Sequence, residues 1–275
     1  MRVPVLTYHA VNIAGNDYAT NDHVAFAHDL RLIAAMGWRV VPLTWVVDAL
    51  LGSNHRDLDK CVALSCDDGS AFDFFDLDHP EHGPQRSLFN CMNDFAAEFG
   101  TPSTSNLHLT CFVIASKAAR DHIDRECLVG RDWMNDRWWL TALESGRIGI
   151  ENHSFDHNHD AIPLPGIGSM QRGSFFTVDN KERADAEIGE AARLIDERIH
   201  PHRTTLFCYP YGNVSDYLST EYFPRFGSSH HVRAAFGDGA KPITQTSNRW
   251  NLPRYICGWH WKSPEQLEAI LHDAA

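Results

Sequence analysis

Short apolar runs rich in β-branched residues recur along the chain, at residues 3–8, 38–43, 61–66, 107–114, 148–151, 205–209, 232–236 and 252–257. Runs of this length and composition, bounded by polar and turn-forming residues, read as β-strands. Between them the apolar residues fall at helical spacing. Phe26, Leu30 and Ile33 follow the capping candidates Asn21 and Asp22, Ile188, Ala192, Ile195 and Ile199 mark a helix over 181–199, and a C-terminal helix is expected over 263–275. Strand and helix therefore alternate, which is the pattern of a parallel α/β architecture. At this length one domain spanning 1–275, closed into a barrel, fits better than an open sheet. Two segments break the rhythm, 70–85 with its Pro, Gly and acidic residues, and 158–182 with the stretch IPLPGIGSMQRG. Both read as long loops. They are either solvated insertions or, since barrel chemistry gathers at the carboxyl ends of the strands, lids and substrate walls.

Composition narrows the classes. A chain of 275 residues with 43% hydrophobic composition can bury a sizeable core. No run reaches the ~20 apolar residues of a membrane span, and the opening MRVPVLTYHA lacks the basic and apolar regions of a signal peptide. The expectation is a soluble protein without a membrane span, cytoplasmic by default. Seven cysteines form no CxxC pair and several lie in apolar runs, as reduced, buried thiols do. The net charge of -12, with no basic cluster to offset it, argues against nucleic acid and other polyanions as partners.

Three strand ends carry candidate chemistry. The run 61–66 leads directly into Asp67-Asp68-Gly69. Two adjacent carboxylates at the end of a buried element repel each other and lose hydration, a cost that a cation beside a proton-transfer base relieves. Gly69 permits a turn at which both side chains reach one site. Taken alone, Asp-Asp-Gly reads more readily as an ordinary turn cap. The run at 148–151 is followed by His153-Ser154-Phe155-Asp156-His157. Two imidazoles four residues apart can converge on one cation together with a carboxylate, leaving coordination positions open for water and substrate. His159 is an alternative to His157. The third end is Phe207-Cys208-Tyr209-Pro210-Tyr211-Gly212, a turn able to aim a backbone amide at a developing oxyanion, or simply a structural turn.

In this order the three motifs resemble those of the NodB-type polysaccharide deacetylases, carbohydrate esterase family four. Ser65-Cys66-Asp67-Asp68-Gly69 is similar to the family's Thr-Phe-Asp-Asp-Gly, His153 to His157 to its His-Ser/Thr-x-x-His, and Cys208-Tyr209-Pro210-Tyr211 to its Arg-x-Pro-Tyr turn. The resemblance implies a distorted (β/α) barrel with about seven parallel strands, acting as a hydrolase that removes N-acetyl groups from an N-acetylated saccharide or related amide. It implies Asp67 as catalytic base, Asp68, His153 and His157 as ligands of one divalent metal ion, with zinc the expected ion, and the Tyr211 amide as oxyanion donor. The opening Val3-Pro4-Val5-Leu6-Thr7-Tyr8-His9 and the form Tyr-Pro-Tyr-Gly resemble the branch acting on poly-N-acetylglucosamine. By that likeness His9 is the general acid, with His272 and His260 as rivals; His272 is disfavoured because its helix should face outward.

The chain also departs from the family. Cys66 replaces an aromatic residue, no arginine precedes Pro210-Tyr211, the late Asp-x-x-Asp-Trp motif has no match, and the 70–85 insertion is long. Arg254 is a candidate for the missing arginine's contact with Asp67, a surface salt bridge being the alternative. Trp138, Trp139, Trp250, Tyr255, Trp259 and Trp261 are expected in the core, with Trp259 and Trp261 the better candidates for stacking on a sugar. Competing readings are an amidase for a small non-carbohydrate amide, a carbohydrate-binding pseudoenzyme and, last, a non-haem iron oxygenase.

Overall fold

The computed structural model describes residues 1–100 and 104–275. Seven parallel strands form the centre: β1 (Val5–Tyr8), β2 (Cys61–Cys66), β3 (Leu109–Val113), β4 (Ile148–Asn152), β5 (Leu206–Cys208), β6 (Ala234–Phe236) and β7 (Tyr255–Ile256). Their spatial order is β6-β5-β4-β3-β2-β1-β7. The segment leading into β7 links the two edges: Leu252 bridges Phe236, while Tyr255 and Ile256 pair with Leu6 and Thr7. The result is a distorted (β/α) barrel of seven parallel strands. Every residue of β1, β2, β3, β5 and β6 is buried, because helices cover the outside and side chains fill the inside. That double burial is why these strands read as continuous apolar runs rather than alternating ones.

The helix expected after Asn21 spans Asp22–Ala35, and Phe26, Leu30 and Ile33 are buried on its inner face. Its N-cap is Asn21, whose side chain accepts from the His23 and Val24 amides. The helix over 181–199 is present, with a π-helical stretch at Asp185–Gly189 that turns Glu187 and Ile188 into the core. Three expectations need correction. The run at 38–43 supplies only the two-residue strand Arg39–Val40, which pairs with Cys61 and Val62 outside the main path. Pro42 follows at once, cannot donate to a ladder, and caps the helix Leu43–Leu50 instead. The 70–85 segment is not irregular throughout: it holds a one-turn helix, Ala71–Asp73, and a hairpin pairing Leu77–His79 with Gly83–Gln85. Trp259, expected in the core, is instead 80% exposed and presents a face to a ligand, whereas Trp261 is fully buried as expected, packing edge-on against Tyr8 and donating to Asp29. No helix among the described residues is long and apolar enough to cross a membrane.

Candidate active site

The carboxyl ends of the strands deliver the candidate residues to one cavity of about 580 Å³. His9 follows β1, Asp67 and Asp68 follow β2, His153 follows β4, and Tyr211 lies just beyond β5. Arg254 enters from the residues before β7. The local backbone is unusual at these positions. Asp68 (φ 72°), Ser154 (φ 72°), His157 (φ 64°) and Tyr211 (φ 58°) all take the left-handed conformation, which costs a non-glycine residue roughly 1–2 kcal/mol. Surrounding bonds hold them there. The Ser154 hydroxyl accepts from the His157 amide at 2.9 Å, the Asn152 side chain accepts from the Ser154 amide at 2.8 Å, and Val113 O accepts from the His153 amide at 3.0 Å. The turns that carry the candidate residues are thus strained, as are Lys60, Asp132, Asn158, Ser169, His231 and Ala240 elsewhere. Gly69 (φ 78°) completes the Asp-Asp-Gly turn against β3, where a Cβ would lie 2.6 Å from Val113 Cγ1.

The two adjacent carboxylates have different surroundings. Asp67 is buried and grips Arg254 through two parallel hydrogen bonds, Oδ1 to Nη1 at 2.7 Å and Oδ2 to Nη2 at 2.9 Å. Burial pushes its carboxyl up, but Arg254, His153 and His9 together outweigh that and hold it well below the usual carboxylate range. It is therefore ionised at neutral pH. Arg254 thus takes the position on Asp67 that the absent arginine before Pro210 leaves open, and it lies in a buried pair, not a surface one. Asp68 turns the other way: its Oδ1 stands 3.6 Å from His153 Nε2 and 3.7 Å from His157 Nε2.

Those three atoms are too far apart to share protons and too polar to face one another across an empty gap. Nitrogen and oxygen ligands ~2.0–2.1 Å from a tetrahedral cation stand roughly 3.3–3.4 Å apart, and these three atoms lie within 4.8 Å of one another, a set that could hold a divalent metal ion. The second nitrogens agree with that use. His153 Nδ1 donates to the Cys208 carbonyl at 2.9 Å, leaving Nε2 as the nitrogen that faces Asp68, the usual backbone support of a metal-binding histidine. Burial, then the neighbouring His153, pushes the His157 imidazolium well down, so that ring is neutral and able to ligate. His159 stays out of this set, its Nδ1 accepting from the Ala161 amide and facing Asp160.

Of the three histidines considered as general acid, only His9 lines the cavity, with Nε2 4.0 Å from Asp67 Oδ2. His260 Nδ1 instead accepts from the Ile256 amide, and His272 is on the outward face of the C-terminal helix beside Glu268. Tyr211 sits at the apex of the tight Pro210–Gly212 turn, with a left-handed backbone. Its ring packs edge-on at 4.4 Å against His157.

Several supports escaped the sequence. The Cys208 carbonyl orients His153 through main chain that any residue would supply. Asp156, inside the histidine motif, binds Arg172 at 2.7 Å and so ties the 158–182 loop to the site. Asp22, noted only as a capping candidate, accepts from the His9 amide at 2.7 Å.

The polysaccharide deacetylase profile matches residues 55–222, which include all three motifs. No curated protein matches the chain. Among solved structures, a de-N-acetylase from Aggregatibacter actinomycetemcomitans is 16% identical with a TM-score of 0.65, covering 98% of this chain and 100% of that one. IcaB from Ammonifex degensii is 17% identical with a TM-score of 0.64 (98% and 97%), and the Streptococcus pyogenes deacetylase PplD, solved with acetate, is 15% identical with a TM-score of 0.63 (98% and 98%). At such identities the structures share the fold, while the profile covers more than half of the sequence: the chain belongs to the polysaccharide deacetylase family.

Proposed function

We propose that the chain is a metal-dependent N-deacetylase acting on an amino-sugar amide. The observation that carries this reading is the pairing of one carboxylate, Asp67, held ionised by Arg254, with a second, Asp68, facing two imidazole nitrogens that share no proton with it. Asp68, His153 and His157 would hold the cation, which when bound supplies Lewis-acid polarisation of the amide carbonyl. Asp67 takes a proton from the attacking water as the water oxygen bonds to the carbonyl carbon. The Tyr211 N–H donates to the oxyanion that develops there. His9 then protonates the nitrogen as the C–N bond breaks, giving a free amine and acetate. The 4.0 Å between His9 and Asp67 is short enough for the proton gained by Asp67 to return to His9 with little movement. Trp259, exposed at the cavity rim, would stack on a sugar ring.

The test combines metal content with turnover. Elemental analysis of the wild type should find about one equivalent of zinc or a similar ion, with His153→Ala lacking it. The metal-loaded wild type should release acetate from N-acetylglucosamine oligomers. Exclusive turnover of small non-carbohydrate amides would remove the saccharide from the proposal; no bound metal after supplementation would favour a binding protein without catalysis.

A further inference from the structure

The catalytic cavity is one-sided. Its polar groups gather around Asp67, Asp68 and the histidines, whereas the wall beyond Asp68 is built from Val11, Ile114, Ile123, Leu128 and Met134. Ile114, Ile123 and Met134 are the buried core of a small apolar cluster, with Val11 and Leu128 packed on it and partly open to the cavity. The wall starts at the reacting centre, since the Ile114 amide is hydrogen-bonded to Asp68 O at 3.4 Å. Nor does it stop at the cavity's edge. A second cavity of about 410 Å³ shares Val11, Cys127 and Leu128 with the first and continues along Ile13 and Val129 to the 77–85 hairpin, where His79, Glu81 and His82 stand at its outer end. The two cavities thus adjoin at Val11, Cys127 and Leu128 to form a channel whose inner stretch is walled by apolar side chains and whose outer part, mixed in character, ends at the polar groups of the hairpin.

A second sugar ring fits this channel poorly. Each hydroxyl placed against Val11, Ile123, Leu128 or Met134 would give up hydration without gaining a side-chain partner, at ~1–3 kcal/mol apiece. Of the two large rings lining the outer cavity, Trp133 is 7% exposed and Phe72 is fully buried, so neither offers much face for stacking. An aliphatic chain loses nothing there and gains from every methylene removed from water.

Resting on the N-deacylation reading above, we infer that the substrate is an amino-sugar amide bearing an aliphatic chain, which lies along the channel from Ile114 past Leu128 towards the 77–85 hairpin. Two sources supply the same chemistry: an N-acyl group longer than acetyl, or an aliphatic group on the sugar's anomeric oxygen.

The measurement is kcat/KM for the metal-loaded wild-type protein on two series. One is glucosamine N-acylated with acetyl, butyryl, hexanoyl or octanoyl groups; the other is N-acetylglucosamine as its methyl, butyl, hexyl and octyl glycosides. In one series kcat/KM should rise about fourfold for each methylene buried, and the series in which it rises identifies the source of the chain. In Leu128→Ser the ratio of octyl or octanoyl to shortest-chain kcat/KM should fall by roughly tenfold, with Val11→Ser as the second variant in case the first folds poorly. Turnover of the acetyl compounds with no rise in either series overturns the inference and leaves the deacetylase reading standing. Hydrolysis of no compound in either series by metal-loaded protein overturns both.

Discussion

Replacing Arg254 with glutamine should turn the most favourable contact of the site into its largest liability. In the native fold the guanidinium forms two charge-assisted bonds to a carboxylate that is only 5% exposed. Breaking a buried pair from one side leaves an uncompensated charge and costs about 3–5 kcal/mol, whereas an exposed pair would cost about 0–1. The pH dependence carries the sharper signature. In the wild type the Asp67 carboxyl is held below its unfolded value, so its contribution is present at all pH values above that value and fades only as pH falls further into acid. In Arg254→Gln burial, the largest single influence on Asp67, is opposed only by His153 and His9, and the folded value moves above the unfolded one. The variant's deficit should then be smallest in acid and grow as pH rises. Urea denaturation of metal-free protein at pH 5 and pH 8 measures this, and the acid limb of kcat/KM should move upward as Asp67 comes to hold its proton. The double variant Asp67→Asn/Arg254→Gln should be more stable than Arg254→Gln alone at pH 8, since it carries no buried charge. A loss below ~1 kcal/mol for Arg254→Gln, with an unmoved acid limb, would refute the claim that this arginine sets the ionisation of the base.

Asp67→Asn should keep its metal by elemental analysis while kcat falls by about 10²–10⁴, because the base is lost but Asp68, His153 and His157 are untouched; full activity would remove Asp67 from the mechanism. Gly69→Ala forces a left-handed alanine whose Cβ would sit 2.6 Å from Val113 Cγ1, and should cost ~2–4 kcal/mol and loosen metal binding, read by calorimetry and metal titration. Glu151 is buried and accepts from the Thr205 and Leu206 amides, yet burial pushes its carboxyl up to about 8. Its folded value lies above the unfolded one, so that part of stability is full in acid and lost as pH rises towards 8. The unfolding free energy should fall over this window by at most ~1.4 kcal/mol per pH unit, and Glu151→Gln should remove the slope.

Much of the fold was legible because the strands are buried on both faces. A strand such as Cys61–Cys66 is then apolar but for Ser65, whose hydroxyl pairs with Thr7, and its charged continuation at Asp67 marks the point where the chain leaves the core. The run at 38–43 misled for a local reason: its apolar character was right, but Pro42 ends the ladder after two residues. Trp259 misled for a different reason, since an indole before the final helix reads alike whether it stands exposed, as Trp259 does, or packs on Tyr8, as Trp261 does.

The sequence by itself determined the alternation of strand and helix, the three strand ends that carry acidic, histidine and Pro-Tyr motifs, and the family those motifs mark. Each rests on neighbours in the chain, where hydrophobic period and turn chemistry act directly. The tertiary structure alone decided that Arg254, 187 residues from Asp67, closes on it, that the Cys208 carbonyl orients His153, and that an apolar wall leads away from Asp68. Such contacts join segments remote in the chain and leave no periodic trace, because barrel closure, and not local preference, brings the partners together.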